Sequence, residues 1–83
     1  MEELFQRLDL AERAIAGVKH KIARRDLLKM VKAIDRSIVA ADMESVECRR
    51  MHKETSKYRE LVKQTSDLIT NLEQHITFAS LLG

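Results

Sequence analysis

Between Met51 and Ala79 the residues Met51, Thr55, Tyr58, Val62, Thr65, Ile69, Leu72, Ile76 and Ala79 recur at alternating steps of four and three. An α-helix turns once every 3.6 residues, so this spacing gathers nine side chains on one stripe, widened on one flank by Leu61 and Leu68. Lys53, Lys57, Lys63, Asp67 and Glu73 fall on the opposite face, where water solvates them. At ~1.5 Å per residue the stretch predicts a rod of roughly 43 Å. A helix striped along such a length needs a packing partner along all of it.

Little in the chain interrupts helix. Proline is absent, and the two glycines are Gly17 and Gly83. These residues are the strongest punctuation for turns and strand ends, and their scarcity points to helix nearly throughout. Hydrophobic residues are 45% and charged residues 34% of the chain, too apolar for disorder and suited to a helical bundle. Phe5, Tyr58 and Phe78 are the only aromatics, so the core must be aliphatic. Eighty-three residues make one domain, 1–83, and a core this small is marginal by itself. Cys48 is the only cysteine, so no disulfide within the chain supports it.

Two further stripes precede the first. Leu4, Leu8, Ala11, Ile15, Val18 and Ile22 keep the four-three rhythm behind Glu2 and Glu3, which suit the positive end of a helix dipole. The pattern then skips five residues and restarts as Leu27, Val31, Ile34, Ile38 and Ala41. Such a skip rotates the apolar face by ~140°. It predicts a break near Arg24–Asp26 with Asp26 as N-cap, the alternative being one helix with two apolar faces. Asp42 and Ser45 are further candidate caps and place a hairpin turn at Ala41–Ser45, with one very long helix as the alternative. The expectation is therefore an all-α antiparallel helical hairpin, or small three-helix arrangement with coiled-coil packing, its helices spanning roughly 2–24, 26–40 and 44–80. Phe5, Leu10, Leu28, Met30, Val39, Met43, Val46, Phe78, Leu81 and Leu82 exceed what such a hairpin can bury. Surplus apolar surface on a small helical protein points to a partner or to self-association.

Charge is laid out in blocks although the net is only +2. Lys19 to Lys32 holds six basic residues against Asp26, and Arg49 to Lys63 holds six against Glu54 and Glu60. Solvated helix faces produce such blocks, and so do phosphate-binding surfaces. Acidic interruptions in the second block and the lack of interleaved aromatics argue against nucleic acid. A membrane-surface helix at Lys19–Lys32 lacks the Trp or Phe that such helices favour.

Catalytic and metal signals are weak. Cys48 and His52 are four apart, but no second Cys/His pair completes a zinc set, and His20 and His75 are isolated in sequence. Arg49 and Arg50 follow Cys48 and favour its thiolate, yet no base or CxxC partner accompanies it. No glycine-rich phosphate loop, GxSxG, HExxH or DxDxDG pattern occurs. The sequence therefore calls for no cofactor, no metal and no catalytic residue.

In size and helical patterning the chain resembles small helical adaptor subunits: tethering and scaffold components, and the short co-chaperones that guard needle subunits in bacterial type III secretion. The resemblance implies a helical hairpin that works with a second protein. The expected function is a non-enzymatic protein-protein interaction module that packs an amphipathic helix of a partner, or a copy of itself, against apolar stripes. The residues expected to carry this are Leu4, Leu8, Ile15, Val18, Ile22 and Met30, with Val62, Ile69, Leu72 and Ile76, divided between internal core and interface in a way the sequence leaves open. The alternative is a basic-helix nucleic-acid-binding module at Lys19–Lys32. No apolar run approaches the ~20 residues of a bilayer span. A lone thiol and a Met-Glu-Glu start point to a cytoplasmic, reducing compartment.

Overall fold

A computed structural model describes residues 1–81. It contains three helices: α1 (Glu2–Ala16), α2 (Lys21–Met51) and α3 (Ser56–Leu81). All three pack against one another, and among the described residues there is no strand. The fold is all-α. α2 runs antiparallel to α3, with Ser37 opposite Thr65. α1 lies along α3 in the same direction: Met1 sits beside Tyr58 and Val62, while Arg7 reaches Ser66, Thr70 and Glu73. The result is a rod of 49 × 16 × 16 Å, too thin for more than one row of core side chains.

That row comes from the three expected stripes. Leu4, Leu8, Ala11, Ile15 and Val18 meet Leu27, Val31, Ile34 and Ile38 of α2 and Ile69, Leu72, Ile76 and Ala79 of α3 in one cluster. Ile69 and Leu72 are wholly inaccessible to water. Burying a side chain of this size contributes about 1.5–3 kcal/mol, so these positions dominate the fold's stability.

The boundaries differ from the expected 2–24, 26–40 and 44–80. The first break lies at residues 17–20, not at Arg24–Asp26. Gly17 ends α1 in a right-handed conformation (φ −87°), with its N–H donating to the Ala14 carbonyl at 3.1 Å. The N-cap of α2 is His20, not Asp26: its imidazole Nδ1 accepts from the Ala23 N–H at 3.2 Å. Val18 plugs the core from the loop, and Arg24 Nη1 donates to the Val18 carbonyl at 3.3 Å. Ile22, the second residue of α2, points outward and is 60% exposed.

The second break is displaced further. Helix runs straight through Ala41–Ser45, because Ser45 Oγ donates back to the Asp42 carbonyl at 2.6 Å instead of capping a new helix. The four-three rhythm continues from Ala41 to Ser45 and Cys48, a small and soft residue each, both half-buried. The turn falls at residues 52–55 and divides the apparently unbroken Met51–Ala79 seam, leaving Met51 exposed at the end of α2. His52 adopts the left-handed conformation (φ 55°, ψ 31°). Around it the Lys53 N–H donates to the Cys48 carbonyl at 3.1 Å and the His52 N–H to the Arg49 carbonyl at 3.3 Å. That pair of bonds is the Schellman closure normally built on glycine. Thr55 then caps α3, its Oγ1 accepting from the Tyr58 N–H at 3.1 Å.

Candidate functional site

α1 has 15 residues against 31 in α2 and 26 in α3, so it covers only one end of the hairpin. Its N-terminus stops beside Tyr58 and Val62. From there α2 and α3 continue to the turn as a bare pair. No residue from Asp42 to Gln64 is buried. The uncovered part of α2, Asp42 to Met51, is about 15 Å long.

Two apolar features mark this end. On the outer face of α2, Val39, Met43 and Val46 stand at i, i+4 and i+7, exposed by 57%, 71% and 59%. Leu28 lies in line with them, about three turns before Val39 and closer to the base. The second feature is a shallow groove on the side of the hairpin that α1 vacates. Ser45, Cys48, Arg49 and His52 form one wall of it and Glu54 and Tyr58 the other. It adjoins a second groove where Met1 and Val62 meet Arg59, Lys63, Ser66 and Asp67. At the opposite end of the molecule Phe78 and Leu81 project from α3 beside Gln74 and Thr77. Leu82 lies outside the described residues.

The residues expected to bind a partner are distributed as follows. Leu4, Leu8, Ile15 and Val18 are buried in the internal core, as are Ile69, Leu72 and Ile76. Met30 and Val62 are half-buried against that core, and Ile22 is exposed near the base of the rod. The structure brings nine of the ten together with one another, leaving only Ile22 outside. The exposed triplet Val39, Met43 and Val46 was identified by sequence only as surplus. Its four-three spacing is legible once α2 is drawn unbroken through Ala41–Ser45, since the triplet then lies opposite the buried stripe.

Charges at the tip are mixed, with six cations beside five carboxylates from Asp42 to Gln64. Arg50 pairs with Glu47 one turn earlier, its Nε 3.1 Å from Oε2. This hydrogen bond and charge hold the Glu47 carboxyl below the usual carboxylate range and the Arg50 guanidinium above its ordinary value. Among the described residues none of Arg49, Lys53, Lys57, Arg59 and Lys63 has an ion-pair partner. The two basic blocks sit at opposite ends of α2 and form no common patch: Lys21 and Arg49 are 28 residues, or ~42 Å, apart.

At the covered end Arg7 fastens α1 to α3. Its Nη2 donates to Glu73 Oε1 at 2.6 Å and Thr70 Oγ1 at 3.0 Å, and its Nη1 to Ser66 Oγ at 3.4 Å. The hydrogen bond to Glu73, more than any other factor, raises the Arg7 guanidinium above its ordinary value.

Cys48 accepts the Thr55 N–H at 3.4 Å, which ties the thiol into the turn. His52 occupies the turn, His20 caps α2 at the other end, and His75 Nδ1 lies 2.8 Å from the Asn71 carbonyl. The three histidines thus serve separate local roles, and among the described residues no three of His, Cys, Asp and Glu come together as metal ligands would. No described helix is long and apolar enough to cross a membrane.

No protein-family model matches the chain, and neither a curated protein nor a solved structure matches it.

Proposed function

We propose that this protein is a non-enzymatic helical interaction module, of the adaptor, scaffold or co-chaperone kind, that receives a partner on the uncovered end of its hairpin. One observation carries the reading. Two amphipathic helices extend past the third with no buried residue between Asp42 and Gln64, while Val39, Met43 and Val46 stay exposed in a row. Large apolar side chains aligned on one helix face are what a partner helix or surface covers, and contiguous patches of this sort mark interaction sites. The stripes nearer the base are satisfied internally, which supports a free tip rather than a wholly incomplete domain.

The test compares the chain with a Val39→Asp/Val46→Asp variant, each tethered through its N-terminus and incubated with extract of its own source. Both positions are exposed, so the variant is expected to keep its helical circular dichroism. The unaltered chain should retain at least one protein at about 0.5 M salt, where surface electrostatics are screened, and the variant should lose it. Equal retention by both would overturn the reading. Retention abolished by salt and by nuclease would favour the nucleic-acid alternative at Lys19–Lys32.

A further inference from the structure

We propose that the outer ridge of α2 between Arg25 and Arg36 is a second site, which lies along the phosphate backbone of duplex nucleic acid. It is separate from the tip and does not depend on the interaction module proposed there.

The ridge emerges once α2 is drawn from Lys21 as a single unbroken helix. Arg25, Lys29, Lys32 and Arg36 then follow one another at steps of four, three and four. At ~100° per residue they fall within an arc of ~60°. The buried row Leu27, Val31, Ile34 and Ile38 lies on the opposite side of the helix, so α1 and α3 both pack away from the ridge. All four cations are exposed, and none has an ion-pair partner among the described residues. From Lys21 to Arg36 the helix holds six cations and two carboxylates. Those two, Asp26 and Asp35, stand ~90° from the middle of the ridge, one to each side. On the neighbouring helices Asp9 and Glu73 are held by Arg13 and Arg7. Lys19 and Arg24 of the same basic block do not join the ridge: Lys19 is in the loop, and Arg24 is turned to the Val18 carbonyl. Beyond Arg36 the outer face becomes apolar at Val39 and Met43, which bounds the site.

Like charges one turn apart on a helix repel, and the ridge stacks three such pairs in succession. A line of anions relieves that repulsion. Arg25 to Arg36 rises ~17 Å, along which one strand of a duplex sets about five phosphates. No apolar side chain interrupts the arc, so a protein helix would find nothing there to bury. α2 holds no aromatic residue on which the bases of a single strand would stack or which would anchor a helix in a membrane interface. Two copies paired antiparallel about Val39 would set Lys29 against Arg49, which disfavours self-association through this face. Regular backbone charge needs only the cations, and contacts of this kind carry no sequence preference.

The test is fluorescence anisotropy of the full chain with two labelled DNA duplexes of about sixteen base pairs and unrelated sequence. Both should bind saturably and equally at about 50 mM salt, and about a hundredfold more weakly at about 200 mM. Lys29→Gln/Lys32→Gln removes two contacts at exposed positions, so helical circular dichroism should persist. The slope of log affinity against log salt should fall by about 2. Lys57→Gln/Lys63→Gln at the tip removes the same net charge and should leave the slope unchanged. Absence of saturable binding at the lower salt overturns the proposal. Equal losses in the two double variants overturn it as well, because they reduce the binding to overall charge. So does a tenfold preference for one duplex, which requires base contacts that this ridge does not make. Binding to vesicles rich in anionic lipid that is lost with Lys29→Gln/Lys32→Gln and is not competed by duplex overturns it in favour of a membrane surface.

Discussion

At the base of the rod three helices enclose Ile15, Ile34, Ile69 and Leu72 with little or no exposure; at the tip two helices of the same chain enclose nothing completely. Both regions follow the same four-three rhythm, and what changes is who fills the stripe. At the base it is isoleucine, leucine and valine. Towards the tip it becomes Ser45 and Cys48 facing Thr55 and Tyr58, and Glu44 leaves its Oε2 out of solvent without a hydrogen-bond partner. Two helices alone present a ridge to a groove on one side only, so every side chain between them keeps an edge in water. A third helix closes that edge. The difference in stability is therefore a matter of helix count more than of helix propensity.

Paired truncations would break this comparison most directly. Ile69→Ala at the base should destabilise the chain by about 3–4 kcal/mol, a large share of the total for so small a domain. Val46→Ala at the tip should change it by less than about 0.5 kcal/mol. Chemical denaturation monitored by circular dichroism measures both, and comparable losses would show that the tip is as tightly built as the base.

Native-state hydrogen exchange sharpens the contrast without mutation. Amides of residues 42–51 and 56–64 should exchange on the order of a hundredfold faster than those of 27–38 and 69–76. Uniform protection would mean that the rod opens only as a unit.

Thr65 tests the boundary between the two regions. Thr65 Oγ1 donates to the Leu61 carbonyl at 2.7 Å, so its single proton is committed and Ser37 must donate across the 2.5 Å contact. Thr65→Val should cost about 1–2 kcal/mol by stranding the Ser37 hydroxyl, and adding Ser37→Ala should recover much of the loss. A double variant that is simply the sum of its parts would remove the coupling.

The smallest expected effect lies at the turn and has the opposite sign. His52 holds a left-handed conformation that disfavours any side chain with a Cβ, so His52→Gly should raise stability by about 1 kcal/mol. A thermal melt that moves down instead would mean the imidazole contributes more than its backbone strain removes.

Much of this was legible in the residues. The three stripes identify the buried set, and the absence of proline with so little glycine identifies the class. The boundaries were misread for three physical reasons. Gly17 ends α1 without a positive φ, so it resembles an ordinary interior glycine. The turn at residues 52–55 is closed by a histidine in a glycine's conformation, which composition does not reveal. Asp42, Ser45 and Asp26 are capping types used inside a helix, where Ser45 satisfies itself on the preceding turn. The bare end of the hairpin follows from these boundaries, with α1 about half as long as α2. No local pattern in the sequence displays it.

The hydroxyl pair at Ser37 and Thr65 has a consequence for how the hairpin finds its alignment. A seam that repeats every seven residues is nearly indifferent to sliding one helix along the other by seven, about 10 Å. One such slide sets Ser37 against Leu72, and the opposite slide sets Thr65 against Met30. The first takes from the Ser37 hydroxyl its acceptor across the seam, and the second takes from Thr65 Oγ1 the donor it receives there, although Thr65 keeps its own bond to the Leu61 carbonyl. Two small polar side chains thus act as an index mark on an otherwise repetitive scale, and they fix how far the tip projects beyond the end of α1.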